Sequence, residues 1–251
     1  MPLFLEAGLG ANNSSFIDFA TSPLYYSGTL STFMVSTRKA TEKREVTVSV
    51  SASNGSYSLD YNDIEASVDL KALISINYCR LYQINAFEDS RWNLKAGGAF
   101  DLTALLRTNR ALFNNGAGYE AFTNLFASGK ISYDISNKEK KKFLFFNLKP
   151  KWRQLAFQLN VGVINGALRN GYIYSTSAPV YNDENIFKDY EYNLFSGFRM
   201  SSRFDYEFEI FNRNTIKVSY LWDAMKSGSD DQDPLQLVNK MVLASFNIKL
   251  R

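Results

Sequence analysis

The densest set of side chains capable of chemistry is a column of alternating residues between positions 199 and 209. Arg199, Arg203, Asp205, Glu207 and Glu209 all occupy odd positions. In a β-strand, residues two apart lie on the same face, so these five side chains would share one side of a sheet. Two arginines beside three carboxylates could line a path for an ion or a polar ligand. They could equally form a salt-bridge network that holds a filled interior together, and both interpretations stay open at this stage.

The rest of the composition argues against catalysis. The chain contains no histidine and a single cysteine, Cys79. Histidine is the only side chain whose unperturbed pKa suits proton transfer near neutrality, so Ser-His and His-Asp catalytic pairs are excluded. Without histidine or a second cysteine, an ordinary zinc site and an internal disulfide are excluded too. A carboxylate-pair hydrolase using Asp205, Glu207 or Glu209 remains the enzymatic alternative, but we expect no enzyme, no metal and no cofactor.

The charge distribution gives no sign of a nucleic-acid partner. The chain has 28 basic and 25 acidic residues, a net charge of +3, whereas a nucleic-acid-binding domain presents a strongly basic face. The basic run Lys138–Lys142 is better read as a solvated turn. The acidic segment Ser227–Asp233 lacks the spacing of a calcium-binding loop.

The element that carries the charged column must be a strand, because apolar residues alternate with polar ones over long stretches. Between Ala66 and Ile84, every even position except Arg80 is apolar. Residues 190 to 210 repeat this pattern. A helix would scatter these apolar residues around its circumference, whereas a strand gathers them on one face. The sequence therefore predicts an all-β protein.

The length of these strands favours a membrane protein. Alternation persists well beyond the usual strand of soluble proteins, while a transmembrane strand needs about 9 to 11 residues. No run of about 18 apolar residues is present, which excludes a membrane-spanning helix. Short turns at 39–43, 87–90, 136–141 and 212–214 alternate with longer polar segments at 11–22, 54–64, 107–118, 177–188 and 225–236. Tight turns on one side and long loops on the other are typical of outer-membrane barrels.

We therefore predict a single domain, residues 1–251, that forms a transmembrane antiparallel up-and-down β-barrel. The strand count depends on residues 142–176, where the apolar residues shift from even to odd positions. A turn at Lys149–Lys151 would explain this shift and gives twelve strands, since Pro150 cannot donate to a central ladder. A bulge in one long strand would give ten. Twelve is the preferred count and ten the alternative.

Two segments carry a family resemblance. Residues 150–161, followed by Gly171–Tyr174, resemble small outer-membrane barrels of the Bacteroidota, and residues 107–119 have a similar character. The resemblance implies fold and location and carries no catalytic motif. Outer-membrane barrel enzymes of the phospholipase, palmitoyltransferase, lipid deacylase and omptin types rely on a catalytic histidine, which this chain lacks.

If the apolar face of each strand contacts lipid, the alternate polar face lines the lumen. The charged lumen-facing candidates are Asp69, Lys71, Lys95, Asp101, Lys130, Asp134, Arg199, Arg203, Asp205, Glu207, Glu209 and Lys217. Neither sign dominates this set, whereas an ion-selective ring is built from one sign.

Three functions fit these observations. The first is a narrow channel or passive uptake pore for a small polar solute. The second is a non-conducting accessory or structural barrel in a larger outer-membrane complex. The third is a soluble, lipocalin-like ligand-binding barrel with its faces inverted. For the first two we expect the outer membrane of a Gram-negative bacterium, a mature form without signal peptide, and partners that include outer-membrane lipids and other envelope proteins.

Overall fold

The computed structural model describes residues 2–20, 22–61, 64–84, 91–108, 117–136, 141–143, 146–148, 151–170, 190–228 and 234–250. Within these ranges the chain forms thirteen antiparallel strands. They are β1 (Leu3–Asp18), β2 (Ser22–Ala40), β3 (Arg44–Tyr61), β4 (Ile64–Gln83), β5 (Trp92–Thr108), β6 (Ala117–Asp134), β7 (Lys141–Phe143), β8 (Phe146–Leu148), β9 (Arg153–Asn170), β10 (Tyr190–Leu194), β11 (Phe198–Phe211), β12 (Asn214–Ser227) and β13 (Leu235–Lys249). Among the described residues, no helix is long and apolar enough to cross a membrane.

The strands close into a barrel of ten. Strands β1 to β6 follow one another around the ring, β6 pairs with β9, and β9 is followed by β11, β12 and β13. Pairing of β13 with β1 closes the ring. Strand β10 also pairs with β9, at a later segment of β9 than the one that pairs with β11. Strands β10 and β11 therefore act as one strand that is interrupted at 195–197. Phe195 and Gly197 have positive φ angles at this interruption.

The preferred count of twelve strands is wrong, and the alternative of ten is confirmed. Strands β7 and β8 pair with each other in a separate two-stranded sheet, and β9 runs as one strand from Arg153 to Asn170. The change of the apolar residues from even to odd positions therefore falls between this small two-stranded sheet and β9. Lys149 and Pro150, where a turn was predicted, lie outside the described residues.

Two predicted long loops are strand instead. Strand β1 continues to Asp18 and β3 to Tyr61, so most of 11–22 and of 54–61 belongs to the barrel wall. Two of the polar residues of β1 that indicated a loop, Asn12 and Ser14, point inward and are buried. The side chain of Asn12 donates to Asn239, and Ser14 shares a hydrogen bond with Tyr57. Their polarity therefore reflects contacts across the interior.

The outer face of the barrel carries an apolar belt. The belt lies near the end of the barrel where β1 begins and β13 ends, and we call this end the terminal end. Val35, Val50, Ile76 and Leu102 are register partners on four successive strands, and all four are exposed. On β4 the belt extends from Ala72 to Tyr82, which matches the 9 to 11 residues of a transmembrane strand.

Beyond the belt, towards the opposite end, the outer face becomes polar. We call this opposite end, where β1 joins β2 and β12 joins β13, the loop end. Ser27, Ser58 and Ser67 are register partners there and are exposed. The strands are thus longer than the apolar belt and extend past it at the loop end.

Candidate functional site

The interior of the barrel holds a central cavity of about 190 Å³. One side of it is formed by β3, where Thr47, Ser49 and Ser51 point inward from odd positions. Their outward neighbours, Val48 and Val50, belong to the apolar belt. The alternation of β-branched and small polar residues therefore makes a strand with one lipid-facing and one cavity-facing side, and the small side chains leave the space open.

Arg199 spans the cavity from β11. Its Nη1 donates to Oδ1 of Asp101 at 2.7 Å and to Oγ1 of Thr103 at 2.9 Å. Its Nε and Nη2 donate to the two carboxylate oxygens of Asp223, at 2.9 and 3.0 Å. Ser75 donates a further hydrogen bond to Asp101. The guanidinium is therefore held between two carboxylates.

An ion-pair layer lies between the cavity and the terminal end. It consists of Glu6, Arg38, Glu45, Lys95, Lys130, Arg203, Asp205, Glu207 and Lys217. Lys217 Nζ lies 2.5 Å from Oε2 of Glu6, and Arg38 Nη2 lies 2.7 Å from Oε1 of Glu207. Lys130 and Lys95 contact the two oxygens of Glu45 at 2.6 and 3.2 Å. Hydroxyls add to this layer, since Ser245 and Ser36 donate to Glu6.

An apolar cluster separates the cavity from the loop end. Its members come from nearly every strand of the barrel: Phe16, Tyr26, Leu30, Tyr57, Val68, Leu70, Leu73, Leu105, Phe122, Ala167, Met225, Leu235 and Leu237. Phe16 contacts both Tyr26 and Tyr57 through its ring, with centroids 5.1 and 4.8 Å apart. Leu73, Met225 and Leu237 also line the central cavity, so the cluster forms its ceiling.

An outer ionic cluster lies beyond the apolar one, at the loop end. Arg107 Nη2 lies 2.6 Å from Oδ2 of Asp18 and also contacts Oε1 of Glu120. Arg169 Nη2 lies 2.8 Å from the other oxygen of Asp18. The guanidinium carbon of Arg107 also lies 4.9 Å from the ring centroid of Phe16, which links the two clusters.

The predicted lumen residues divide into three groups. Lys95, Asp101, Lys130, Arg199, Arg203, Asp205, Glu207 and Lys217 lie inside the barrel in the ion pairs described above. Asp134 and Glu209 lie at the terminal end, where Asp134 accepts a hydrogen bond from the backbone of Ser136 and the backbone N–H of Glu209 donates to Trp152. Asp69 and Lys71 do not face the interior.

The position of Asp69 and Lys71 is a correction with a clear cause. The register of β4 shifts between Leu70 and Ala72, so Lys71 is the extra residue of a β-bulge. Beyond the bulge, Val68 and Leu70 point inward and are buried. Asp69 and Lys71 therefore form an exposed ion pair of 3.1 Å on the outer face, with side chains 35% and 48% exposed. A single inserted residue thus reverses the face of the residues that precede it in β4, while those that follow keep the predicted face.

Several interior charges were missed by the sequence analysis. They are Glu6, Asp18, Arg38, Glu45, Arg107, Glu120, Arg169 and Asp223. Glu45 had a usable signal, because it begins the odd-numbered series that continues as Thr47, Ser49 and Ser51. Asp18 and Arg107 were assigned to loops, and their pairing across the barrel has no local signal. Among the described residues, no three Cys, Asp or Glu side chains lie together as a metal site would require.

Comparison with solved structures identifies barrels of the same type. The chain is similar to the outer membrane protease OmpT from Escherichia coli, with a TM-score of 0.54 and 8% identity over 99% of this chain and 97% of that one. It also matches the transport unit of the autotransporter AIDA-I from Escherichia coli (TM-score 0.47, 8% identity, 99% and 90% covered). A third match is the P. putida toluene transporter TodX (TM-score 0.33, 8% identity, 100% and 90% covered). At these identities the similarity to OmpT supports the barrel fold alone.

No curated protein matches the chain. The family described as "Protein of unknown function (DUF3316)" matches residues 6–231, which is most of the sequence. The chain therefore belongs to the DUF3316 family.

Proposed function

We propose that the chain is a non-conducting barrel that serves as a structural or accessory component of the bacterial outer membrane. The observation that carries this proposal is the apolar cluster across the interior. Leu30, Tyr57 and Phe122 are each 1% exposed, and Leu235 is fully buried. A water-filled lumen would leave such side chains in contact with solvent, so their burial favours a closed interior.

The number of strands agrees with this proposal. Eight strands enclose an interior that side chains fill, whereas open porins use about 16 to 18. A barrel of ten strands is close to the filled limit. The central cavity is bounded by the apolar cluster on one side and the ion-pair layer on the other, so a channel for a polar solute would need both layers to open.

The interior charges also fit a structural role better than an ion path. Conduction requires binding that is weak enough for the ion to leave. Here the basic side chains are held by carboxylates at short distances, as Lys217 is by Glu6 and Arg199 by Asp101. Such pairs connect strands that are not neighbours in the ring, which stabilises the barrel cross-section.

The same proposal covers location and partners. The apolar belt and the polar extension at the loop end favour insertion in the outer membrane of a Gram-negative bacterium, with contacts to outer-membrane lipids and other envelope proteins. The sequence resemblance favours a member of the Bacteroidota as the source. The absence of histidine from the sequence favours a non-enzymatic role.

The proposal is tested by ion flux across lipid vesicles that contain the purified barrel. Wild-type protein should hold an ion gradient as long as empty vesicles do. Removing two large side chains of the apolar cluster, in the double variant Tyr57→Ala/Phe122→Ala, should accelerate dissipation of the gradient. The matched control is Phe100→Ala/Phe157→Ala, which removes two exposed rings from the outer face and should stay closed. Rapid dissipation by the wild-type barrel would instead favour a channel.

A further inference from the structure

The hydroxyl groups on the β3 side of the central cavity have unused hydrogen-bonding capacity. Thr47, Ser49 and Ser51 point into the cavity, and none of their side-chain oxygens has a hydrogen-bond partner among the described residues. By contrast Ser53, the next inward residue, shares a hydrogen bond with Thr32. The three residues are only partly buried and line the cavity, so their hydroxyls are available to bond to water or to a ligand there.

The opposite side of the cavity also offers neutral polar groups. Strand β11 lies five positions from β3 in the ring of ten, so the two strands face each other. Ser201 of β11 accepts a hydrogen bond from Asn160 Nδ2, which leaves its own O–H free to donate. Asn160 Oδ1 accepts only from Gln158 among the described residues. A molecule between β3 and β11 would therefore meet neutral donors and acceptors on both sides.

The basic and acidic side chains that line the cavity are equal in number. Five basic and five acidic side chains line it, and each of the ten takes part in an ion pair. A charged ligand would bring an unbalanced charge into the barrel interior, at a cost in free energy. The balance of paired charges therefore favours a neutral occupant.

Another part of the wall is apolar. Met34 of β2, Leu221 of β12, and Met241 and Leu243 of β13 line it. A ligand with one apolar and one hydroxyl-bearing surface matches this division. The cavity volume of about 190 Å³ is several times the roughly 30 Å³ that one water occupies in the liquid, so the cavity has room for one small organic molecule.

We propose that the central cavity is a binding site for one small, neutral, polyhydroxylated solute, of the size and chemistry of a monosaccharide. The ring hydroxyls occupy the open groups of Thr47, Ser49 and Ser51 and of Ser201, and the apolar face of the ring packs against Met241 and Leu243. The site is independent of whether the barrel conducts, because it rests on the cavity wall alone.

The experiment is native mass spectrometry of the full-length protein in detergent micelles. The chain is refolded from urea with millimolar D-glucose as the probe, so that the barrel closes around it, and free sugar is then removed. One added glucose per barrel is the expected result. D-gluconate, which is anionic, and D-glucosamine, which is cationic, should each be retained at least tenfold less.

Two variants on the same strand locate the site. Ser49→Leu fills the cavity from the β3 side and should abolish glucose retention, and Ser51→Leu replaces it if Ser49→Leu does not fold. Ser58→Leu makes the same change on the exposed outer face and should retain glucose as the wild type does. The proposal is overturned by a wild-type barrel without bound glucose, by equal retention of gluconate, or by unchanged retention in the cavity variant. Conductance measured on the same samples reports separately on the proposed closed state.

Discussion

Arg199 on β11 and Asp101 on β5 form an ion pair of 2.7 Å across the barrel interior, between strands that are not neighbours in the ring. Asp223, on the adjacent strand β12, holds the other edge of the same guanidinium. The planar guanidinium suits this arrangement because it can donate to two carboxylates in fixed directions at once. The column of charges expected at 199 to 209 therefore begins with a residue that links three strands.

Replacing Arg199 with alanine should destabilise the barrel strongly. The change leaves Asp101 and Asp223 without their cation inside the barrel, and breaking a buried ion pair costs about 3 to 5 kcal/mol. The free energy of unfolding, measured by urea titration in lipid vesicles, should fall by that amount. Arg44→Ala is the control, because Arg44 is exposed and its loss should change the free energy by no more than about 1 kcal/mol. Equal effects in the two variants would contradict a structural role for Arg199.

The closure between β1 and β13 depends on the absence of a side chain at Gly10. A Cβ atom there would lie 2.0 Å from the carbonyl oxygen of Val242 and 2.9 Å from Cα of Leu243, both on β13. Gly10→Ala should therefore force the two strands apart and lower the free energy of unfolding by about 1 to 3 kcal/mol.

Gly129 on β6 provides the matched control for this change. A Cβ atom at Gly129 would have nothing within 4 Å, so alanine fits without strain. Because alanine is favoured over glycine within a strand, Gly129→Ala should be neutral or stabilising by about 0.5 to 1 kcal/mol. The same urea titration compares the two, and a larger loss at Gly129 than at Gly10 would argue against this account of the seam.

The two outer surfaces of the barrel should differ in their tolerance of arginine. Ile76 lies within the apolar belt, where an arginine facing lipid costs about 2 to 4 kcal/mol. Ser58 lies in the polar extension at the loop end, where the cost should be about 0 to 1 kcal/mol. Folding yield and the free energy of unfolding in vesicles should therefore fall for Ile76→Arg. Both should stay close to the wild-type values for Ser58→Arg. If both variants insert equally well, the placement of the belt is wrong.

Cys79 offers a direct probe of access to the cavity. Its side chain is buried, it lines the central cavity, and Gln158 Nε2 lies 3.6 Å from its sulfur. A polar maleimide should label it only after unfolding, as followed by mass spectrometry. In a Cys79→Ser background, Ser58→Cys should react in the folded state. Rapid labelling of Cys79 in the folded wild type would mean that solvent reaches the interior.

The fold was predictable from the sequence where alternation is uninterrupted. The even-numbered series around Ile74 and Ile76 faces lipid, as its apolar character predicts. The prediction failed where a local irregularity intervenes. Lys71 looks like a lumen residue by parity alone, but one extra residue in β4 moves Asp69 to the outer face. A bulge has no strong sequence signal here, because neither glycine nor proline marks it.

The candidate site was predictable only in part, for a different reason. Arg199 and Lys217 lie on clearly alternating strands, so parity suffices to suggest that they face inward. Which partner each one meets depends on the register of closure, as in the pair of Glu6 and Lys217 across β1 and β12. The apolar cluster was missed because Phe16 and Tyr57 fall in segments whose polar neighbours indicated loops.

The most direct test of the closed interior is single-channel recording of wild-type protein in planar lipid bilayers. Because the apolar cluster and the ion-pair layer both obstruct the lumen, insertion of the barrel should produce no current steps above those of the bare bilayer. Insertion is verified on the same preparation by the slower migration of boiled compared with unboiled protein on a denaturing gel. Discrete, reproducible current steps from the inserted wild-type barrel would contradict the account.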